Sequence, residues 1–405
     1  MVIAKKKLLF IVDSLNSNNG GAEISSLDLI NRLSYEFYIE VLCFDDLLND
    51  NDLNPGIVFN QFKRNNLISH IPRTYRSCIN PFAIYKILKF LHRFKNFDVV
   101  ILGNISDYTS YSTLPILKLI GIKTIHIIRD TMLTNGSKVL YKVKKPKQAP
   151  RKQSIIKEII NAKFTFNPIR RIFSIFCVNT TDLNITISAI MRDYLKNHNI
   201  NSRFVHNGIE IADKNIRFIK VNHNNVKRIL MPSRPSFNKG ILPLAKLAKS
   251  AEENNLNFEF ILTCEKKYFL KTIRKFNPSE NLIFKGWINK ESIKDLFISS
   301  DLIIYPSQYL EPFGRVPIEA MSLGIPVAVS NYGALPEIIK DGYNGLILNF
   351  ENTKQCLKKI NELFSNKEFQ EKLISNGYET IERNFDIKIT VKKYINLIYQ
   401  VINAK

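Results

Sequence analysis

The sequence contains few of the residues that build metal centres and disulfide frameworks. Among its 405 residues there are 5 cysteines, 6 histidines and 1 tryptophan. The cysteines are scattered, their number is odd, and no pair has the spacing of a zinc site or a redox motif. We therefore expect no bound metal, and we interpret the cysteines as reduced, mostly buried thiols of a cytoplasmic protein.

Long hydrophobic runs are also absent from the sequence. No stretch approaches the roughly 18–20 apolar residues that a membrane-spanning helix needs. The N-terminal run from Leu8 to Val12 is too short for a signal peptide and favours a first core strand. We expect a cytoplasmic protein, and peripheral attachment to the inner face of the plasma membrane stays open.

Acidic residues are scarce relative to basic ones: 36 Asp and Glu stand against 58 Lys and Arg, a net charge of +22. The segment 138–171 holds eleven Lys or Arg and one acidic residue, a net charge of +10. Such a segment is attracted to anionic lipid surfaces. It is equally compatible with a solvated insertion, and the overall charge alone would also suit a nucleic-acid-binding protein.

The order of the remaining segments favours an α/β fold. Short apolar runs such as KKLLFIVDS, FDVVILGN and KTIHIIRD alternate with helix-like stretches, which is the pattern of a doubly wound parallel sheet. The same strand, small-residue loop and helix return at KRILMPSRPSFNKG. We predict two domains, 1–214 and 215–380, followed by a C-terminal helical segment over 381–405.

One stretch, YPSQYLEPFGRVPIEAMSLG, combines two carboxylates with a helix start. Glu311 stands in a loop after a predicted strand, and Glu319 stands about one turn into a predicted helix. Gly314 precedes that helix, and Pro317 is tolerated in its first turn. The free amides of the helix attract an anion, so the two carboxylates are better explained as acceptors for hydroxyl groups beside a phosphate.

Two further loops could bind a ligand. SRPSFNKG places Arg234 and Lys239 five residues apart at a helix start, and both cations suit a diphosphate. In NNGGAE, Gly20 and Gly21 would let the backbone approach a ligand closely. A solvated basic loop and an ordinary glycine turn are the plain alternatives for these two segments.

The segment KTIHIIRDTM adds candidates from the first domain. Arg129 and Asp130 follow the end of a predicted strand, where ligands of parallel sheets bind. His126 falls within the strand, which favours a core histidine over a catalytic one.

These motifs resemble the retaining glycosyltransferases of family 4, which have the two-domain GT-B fold. The family pattern has a Glu, seven residues and a second Glu, and here it stands as EPFGRVPIEAMSLGIPV. SRPSFNKG, FKGWI, VHNGIEI, ISAIMRDYL and the N-terminal GGAE extend the resemblance over most of the chain. The resemblance implies two Rossmann-like domains facing a central cleft, with the first on the acceptor side and the final helix crossing back to it.

The resemblance also implies the roles of single residues. Glu311 would contact the hydroxyls of the donor sugar and Glu319 the ribose, while Arg234 and Lys239 would hold the diphosphate. The rest of the predicted donor site consists of Phe313, Gly314, Arg315, Val316, Gly20 and Gly21. We assign catalytic roles to Glu311, Asp130 and Arg129.

The implied activity is transfer of a sugar from a nucleotide-diphosphate sugar to an acceptor hydroxyl. We expect no cofactor, a glycan or lipid-linked glycan acceptor, and a role in bacterial cell-envelope polysaccharide synthesis. Two alternatives stay open. One is a basic protein that binds nucleic acid or a membrane surface, and the other is a different GT-B enzyme such as a nucleotide-sugar epimerase.

Overall fold

The computed structural model describes residues 5–16, 20–44, 52–64, 68, 70–94, 96–135, 167–211, 226–233, 236–274, 276–288 and 290–404. Arg234 and most of the basic segment 138–171 lie outside these residues. The described chain divides into two compact units. The first unit ends at 208 and resumes at 387, and the second covers 209–386.

The strands are β1 (Lys7–Val12), β2 (Tyr38–Cys43), β3 (Val58–Gln61), β4 (Val99–Gly103), β5 (Thr124–Ile128), β6 (Leu183–Thr186), β7 (Arg203–Phe204), β8 (Lys227–Met231), β9 (Phe258–Leu262), β10 (Leu282–Phe284), β11 (Leu302–Tyr305), β12 (Val327–Ser330) and β13 (Leu346–Leu348). The helices are α1 (Gly21–Leu33), α2 (Arg73–Arg76), α3 (Pro81–Arg93), α4 (Thr113–Leu119), α5 (Met132–Asn135), α6 (Arg170–Val178), α7 (Ala189–Lys196), α8 (Ile241–Glu253), α9 (Lys266–Thr272), α10 (Lys290–Ile298), α11 (Arg315–Ser322), α12 (Leu335–Ile338), α13 (Thr353–Ser365), α14 (Lys367–Asn384) and α15 (Ile387–Asn403).

The first unit is built on a seven-stranded parallel sheet in the order β3-β2-β1-β4-β5-β6-β7. Its central strands β1, β4 and β5 are buried almost throughout, as expected for apolar strands covered on both faces. The edge strand β3 was not predicted. Its sequence VFNQ is partly exposed and has no continuous apolar run.

The last helix, α15, belongs to the first unit. Ile387, Val391, Tyr394 and Ile398 follow one another at intervals of three or four, so they form one helix face. They are buried in the same core as Leu8 and other residues of β1. The chain therefore returns to the first unit after residue 386.

The second unit has a six-stranded parallel sheet in the order β10-β9-β8-β11-β12-β13. Its core contains apolar residues of α8 and α13 together with alternate residues of β8, β9 and β11. The prediction of two doubly wound α/β units is confirmed. That the two face each other across a cleft stays a prediction.

Both sheets contain a switch point, where strand order reverses direction. In the first unit it lies between β1 and β4, and in the second between β8 and β11. Ligands of open α/β sheets bind at the carboxyl ends of the strands flanking such a point. Among the described residues, no helix is both long and apolar enough to cross a bilayer.

Candidate functional site

The site in the second unit begins at the end of β11. The chain leaves the strand at Tyr305 and enters α11 at Arg315. Gly314 caps the helix with a φ of 117°, and a β-carbon there would lie 2.8 Å from the Leu335 side chain. A larger residue would therefore be strained and crowded. The helix starts where the sequence predicts it, with Pro317 in its first turn.

A second loop approaches from β8, the strand on the other side of the switch point. A 3₁₀ turn, Phe237–Lys239, ends at Gly240, which has a φ of 83°. A β-carbon on Gly240 would lie 1.8 Å from the carbonyl oxygen of Pro306. Glycine is thus required for the close approach of the two loops. A backbone hydrogen bond of 2.7 Å from Gln308 N to the Asn238 carbonyl joins them.

This approach brings Lys239 to Glu311. The ammonium Nζ lies 3.1 Å from Oε2 and 3.2 Å from Oε1 of the carboxylate. It also donates to the hydroxyls of Tyr305, at 2.6 Å, and Tyr309, at 2.9 Å. The Ser307 hydroxyl donates to Oε2 of Glu311 at 2.9 Å. One cation and one carboxylate therefore share a compact polar cluster, in which Glu311 is only 6% exposed.

The electrostatics of this cluster keep Lys239 charged. Burial by itself would lower the pKa of Lys239, because it penalises the ammonium form. The Glu311 carboxylate and the hydroxyls of Tyr305 and Tyr309 outweigh this effect and hold the pKa well above its usual value. Burial also raises the pKa of the Tyr305 hydroxyl, so that side chain remains neutral and donates or accepts as a phenol.

A third loop supports Glu311 from the neighbouring strand β12. Gly333 has a φ of 62°, and a β-carbon there would lie 2.2 Å from the Glu311 amide nitrogen. The Ala334 amide donates to the Glu311 carbonyl at 2.9 Å. Gly333 was not predicted to be part of the site, although its place just after an apolar strand was a usable signal. Tyr305, Ser307 and Tyr309 were not predicted either.

Glu319 lies in a separate ion pair. Its Oε1 accepts from Nε of Arg315 at 2.5 Å, one turn earlier on α11. The two glutamates of the motif thus have different cationic partners. The remaining predicted donor residues in this loop are Phe313, whose side chain is 3% exposed, and Val316 at the first turn of α11. Arg234 lies outside the described residues.

The candidates of the first unit lie at the carboxyl edge of its sheet. Gly20 precedes α1 with a φ of 145°, and Gly21 is the first residue of that helix. Arg129, directly after β5, is buried and donates from Nη1 to Oδ1 of Asn207 at 3.0 Å. Asp130 accepts from the Met132 amide at 2.9 Å and so begins the turn into α5.

His126 lies inside β5 and is buried. Burial lowers its pKa from 6.5 to about 3, and a hydrogen bond with Asn184 only partly opposes this. The imidazole is therefore neutral at physiological pH, in agreement with its interpretation as a core histidine. In the described part of the chain, no group of three or more His, Cys, Asp or Glu side chains could hold a metal ion.

The second unit coincides with the part of the chain that matches a protein-family model. Residues 212–380 match the model described as "Glycosyl transferases group 1". An uncharacterized glycosyltransferase of Methanocaldococcus jannaschii is 29% identical over 43% of this chain and 45% of its own length. An uncharacterized protein in the cps region of Klebsiella pneumoniae is 30% identical over 38% of this chain and 44% of its own length. The alignments thus span less than half of either relative.

Among solved structures, the Anabaena protein HepE in complex with UDP and glucose has a TM-score of 0.70 to this chain. The identity is 18%, and the match covers 98% of this chain and 100% of HepE. At this identity the match establishes the fold alone. The predicted two-domain GT-B fold is confirmed, and residues 212–380 are similar to the glycosyl transferases of group 1.

Proposed function

Because residues 212–380 match the glycosyl transferases of group 1, we propose that this protein transfers a sugar from a nucleotide-diphosphate sugar to an acceptor hydroxyl, with retention of configuration. The observation that carries the proposal is the ion pair between the partly exposed Lys239 and the buried Glu311. The pair joins the loops after β8 and β11, on either side of the switch point where α/β sheets bind ligands.

The diphosphate of the donor is held by cationic and amide groups in this proposal. Lys239 and Arg234 supply the positive charges, and the amides from Phe313 to Val316 at the start of α11 add donors. Glu311 neutralises Lys239 in the structure, and a diphosphate carries enough negative charge to compete with Glu311 for the lysine. When the bond to the sugar breaks, these groups stabilise the charge that develops on the leaving diphosphate.

Glu311 changes partner when the donor binds. As Lys239 turns towards a phosphate, the carboxylate becomes available to accept from hydroxyls of the donor sugar. Ser307, at 2.9 Å, keeps one carboxylate oxygen in place throughout. Glu319 accepts from the ribose hydroxyls in the same way, at the expense of its pair with Arg315. No metal ion or other cofactor is needed, because cationic side chains neutralise the diphosphate.

In the first unit we assign catalytic roles to Arg129 and Asp130 and a backbone contact with the donor to Gly20 and Gly21. The acceptor is a glycan or a lipid-linked glycan of the bacterial cell envelope. The relative in the cps region of Klebsiella pneumoniae supports a polysaccharide context, and the UDP and glucose of HepE support a nucleotide-sugar donor.

The basic segment 138–171 is proposed to attach the enzyme to anionic lipid at the inner face of the plasma membrane. It contributes a net charge of +10. Sedimentation with vesicles should show a preference for anionic over neutral lipid, and equal binding to both would reject this attachment.

Calorimetry with UDP, GDP and ADP tests the donor site. We expect one nucleotide to bind, and Glu319→Ala to weaken that binding by about tenfold or more, since a charged hydrogen-bond acceptor for the ribose is lost. Glu371→Ala, at an exposed position on α14, is the matched control. If no nucleotide binds the wild type at low or moderate salt, the proposed function is wrong.

A further inference from the structure

The switch point of the first unit carries an unusual cluster of arginines. Arg64 follows β3, Arg73 and Arg76 form the ends of α2, and Asp107 follows β4. All three arginines converge on that one carboxylate. Arg76 Nη2 lies 2.6 Å from Oδ1, Arg73 Nε lies 3.6 Å from Oδ1, and Arg64 Nη1 lies 3.6 Å from Oδ2.

Two of the three arginines donate hydrogen bonds to backbone carbonyls of the surrounding loops. Arg64 donates from Nε to the Phe44 carbonyl at 2.9 Å and from Nη2 to the Asp13 carbonyl at 3.2 Å. Arg73 donates from Nε to the Ser106 carbonyl at 3.2 Å and from Nη2 to its hydroxyl at 3.3 Å. These carbonyls orient the guanidinium groups but neutralise none of their charge.

Positive charge is in excess here. Three guanidinium groups face the carboxylate of Asp107, and their charge overcomes the effect of burial and lowers the pKa of that carboxyl. The Asp13 carboxylate is engaged elsewhere: it accepts from the amides of Asp107 and Thr109 and from the Thr109 hydroxyl. Among the described residues at the cluster, three cations stand against two anions even if Asp13 is counted.

A fourth arginine increases the excess. Arg170 is 3% exposed and donates from Nε to the hydroxyl of Ser77, directly after α2. Its Nη2 has no hydrogen-bond partner in the described part of the chain. Burying an unpaired guanidinium nitrogen is costly, and Arg170 adds a buried positive charge beside the cluster.

The cluster is nevertheless open to a ligand. The side chains of Arg64, Arg73 and Arg76 are 35%, 31% and 21% exposed, and that of Asp107 is 24% exposed. Arginine offers a planar fork that matches phosphate and carboxylate oxygens. The location, at the carboxyl edge beside the β1–β4 switch point, is where an open α/β sheet binds ligands.

We infer that Arg64, Arg73 and Arg76 form an oxyanion subsite that binds a phosphate or carboxylate group of the acceptor. That the bound anion belongs to the acceptor rests on the proposed function, whereas the existence of the oxyanion site does not. The acceptor is then an anionic glycan or a phosphate-linked one, and its anionic group binds to the first unit.

The test is titration calorimetry of the full chain carrying Lys239→Met, which removes the lysine of the proposed donor phosphate site. Glycerol 1-phosphate and glucuronate are the probes, at constant ionic strength. We expect at least one of them to bind and Arg73→Gln or Arg76→Gln to weaken it about tenfold or more. The stronger of the two probes identifies phosphate or carboxylate as the ligand. Lys118→Gln, in an exposed ion pair of the same unit, is the matched control.

Arg73→Lys and Arg76→Lys keep the charge and serve if the glutamine variants do not fold. They should weaken binding by a smaller factor, because a lysine lacks the fork. If neither probe binds saturably, or if the glutamine variants melt earlier yet bind as the parent does, the cluster is structural only. Nucleotide binding should survive Arg76→Gln in the otherwise wild-type chain. If the wild type binds no nucleotide, the proposed function is rejected, but the oxyanion site is not.

Discussion

The two sheets share the order of six strands. In each, one side chain forms a bridge that connects the two loops at the switch point, and the charge of that side chain is negative in the first unit and positive in the second. In the first unit a buried carboxylate, Asp13, reaches from the loop after β1 to the amides of Asp107 and Thr109 after β4. In the second the partly exposed ammonium of Lys239 reaches from the loop after β8 to Glu311 after β11. The topology determines where the bridge forms, and the loop residues determine its charge.

The connection through Asp13 is structural, whereas a ligand can replace the connection between Lys239 and Glu311. Asp13 is 3% exposed and is saturated by neutral donors, so a ligand has nothing to replace. The Lys239 side chain is 25% exposed, and its carboxylate partner could be exchanged for a phosphate. We therefore expect substitutions at the first bridge to affect stability and those at the second to affect transfer.

Lys239→Met should have the largest effect. Removing the cation takes away charge that the leaving diphosphate needs, and loss of one such group typically costs about 100-fold or more in rate. Sugar transfer from the nucleotide donor measures this. Lys246→Met, at an exposed position on α8, controls for the loss of a charge. An unchanged rate would mean that the second bridge is structural, like the first.

Asp13→Asn should destabilise the first unit by about 2–3 kcal/mol, because an amide nitrogen would face buried donors that need an acceptor. Urea unfolding followed by a signal from the first unit gives the value, with the exposed Asp193→Asn as control. Nucleotide binding should be retained by the folded variant. A loss of nucleotide binding without loss of stability would contradict the distinction between the two bridges.

His126 should make the stability of the first unit depend on pH. Its folded pKa of about 3 lies below the usual 6.5. As pH falls, the His126 imidazole therefore takes up a proton in the unfolded chain before it does so in the folded one. The corresponding part of the free energy of unfolding is fully present above pH 6.5 and is lost as pH falls towards 3. At pH 5 the loss is about 2 kcal/mol.

Unfolding at pH 7 and pH 5 should show this difference in the wild type and a smaller one in His126→Gln. The same slope in both would show that the histidine does not titrate as described. Lys239 has a raised pKa and stays charged over this whole range, so no comparable loss is expected from it.

The smallest effect is expected for Lys118→Met. Lys118 pairs with Asp182 at 2.5 Å, but its side chain is 53% exposed. Water screens such pairs, and their contribution is below about 1 kcal/mol. Urea unfolding of Lys118→Met and Asp13→Asn compares an exposed interaction with a buried one. A larger loss of stability in Lys118→Met than in Asp13→Asn would contradict the expected order of effects.

Apolar runs such as Leu302–Tyr305 were sufficient to predict the buried strands but not the partly exposed edge strand β3, because fully buried parallel strands need continuous hydrophobic sequence. The loops with Lys239 and Glu311 were predicted from their glycines and their place after strands. The two tyrosines around Lys239 were not, since Tyr305 and Tyr309 meet it only when loops some 70 residues apart converge. The pairing of Glu319 with Arg315 was a local contact at helical spacing, and its signal was present but unused.

A crystal structure of the chain with the nucleoside diphosphate that binds it would test the central claim most directly. We predict that Nζ of Lys239 leaves Glu311 and lies within hydrogen-bond distance of a phosphate oxygen, while Ser307 still donates to Glu311. A bound nucleotide whose phosphates lie away from an intact Lys239–Glu311 pair would contradict the account.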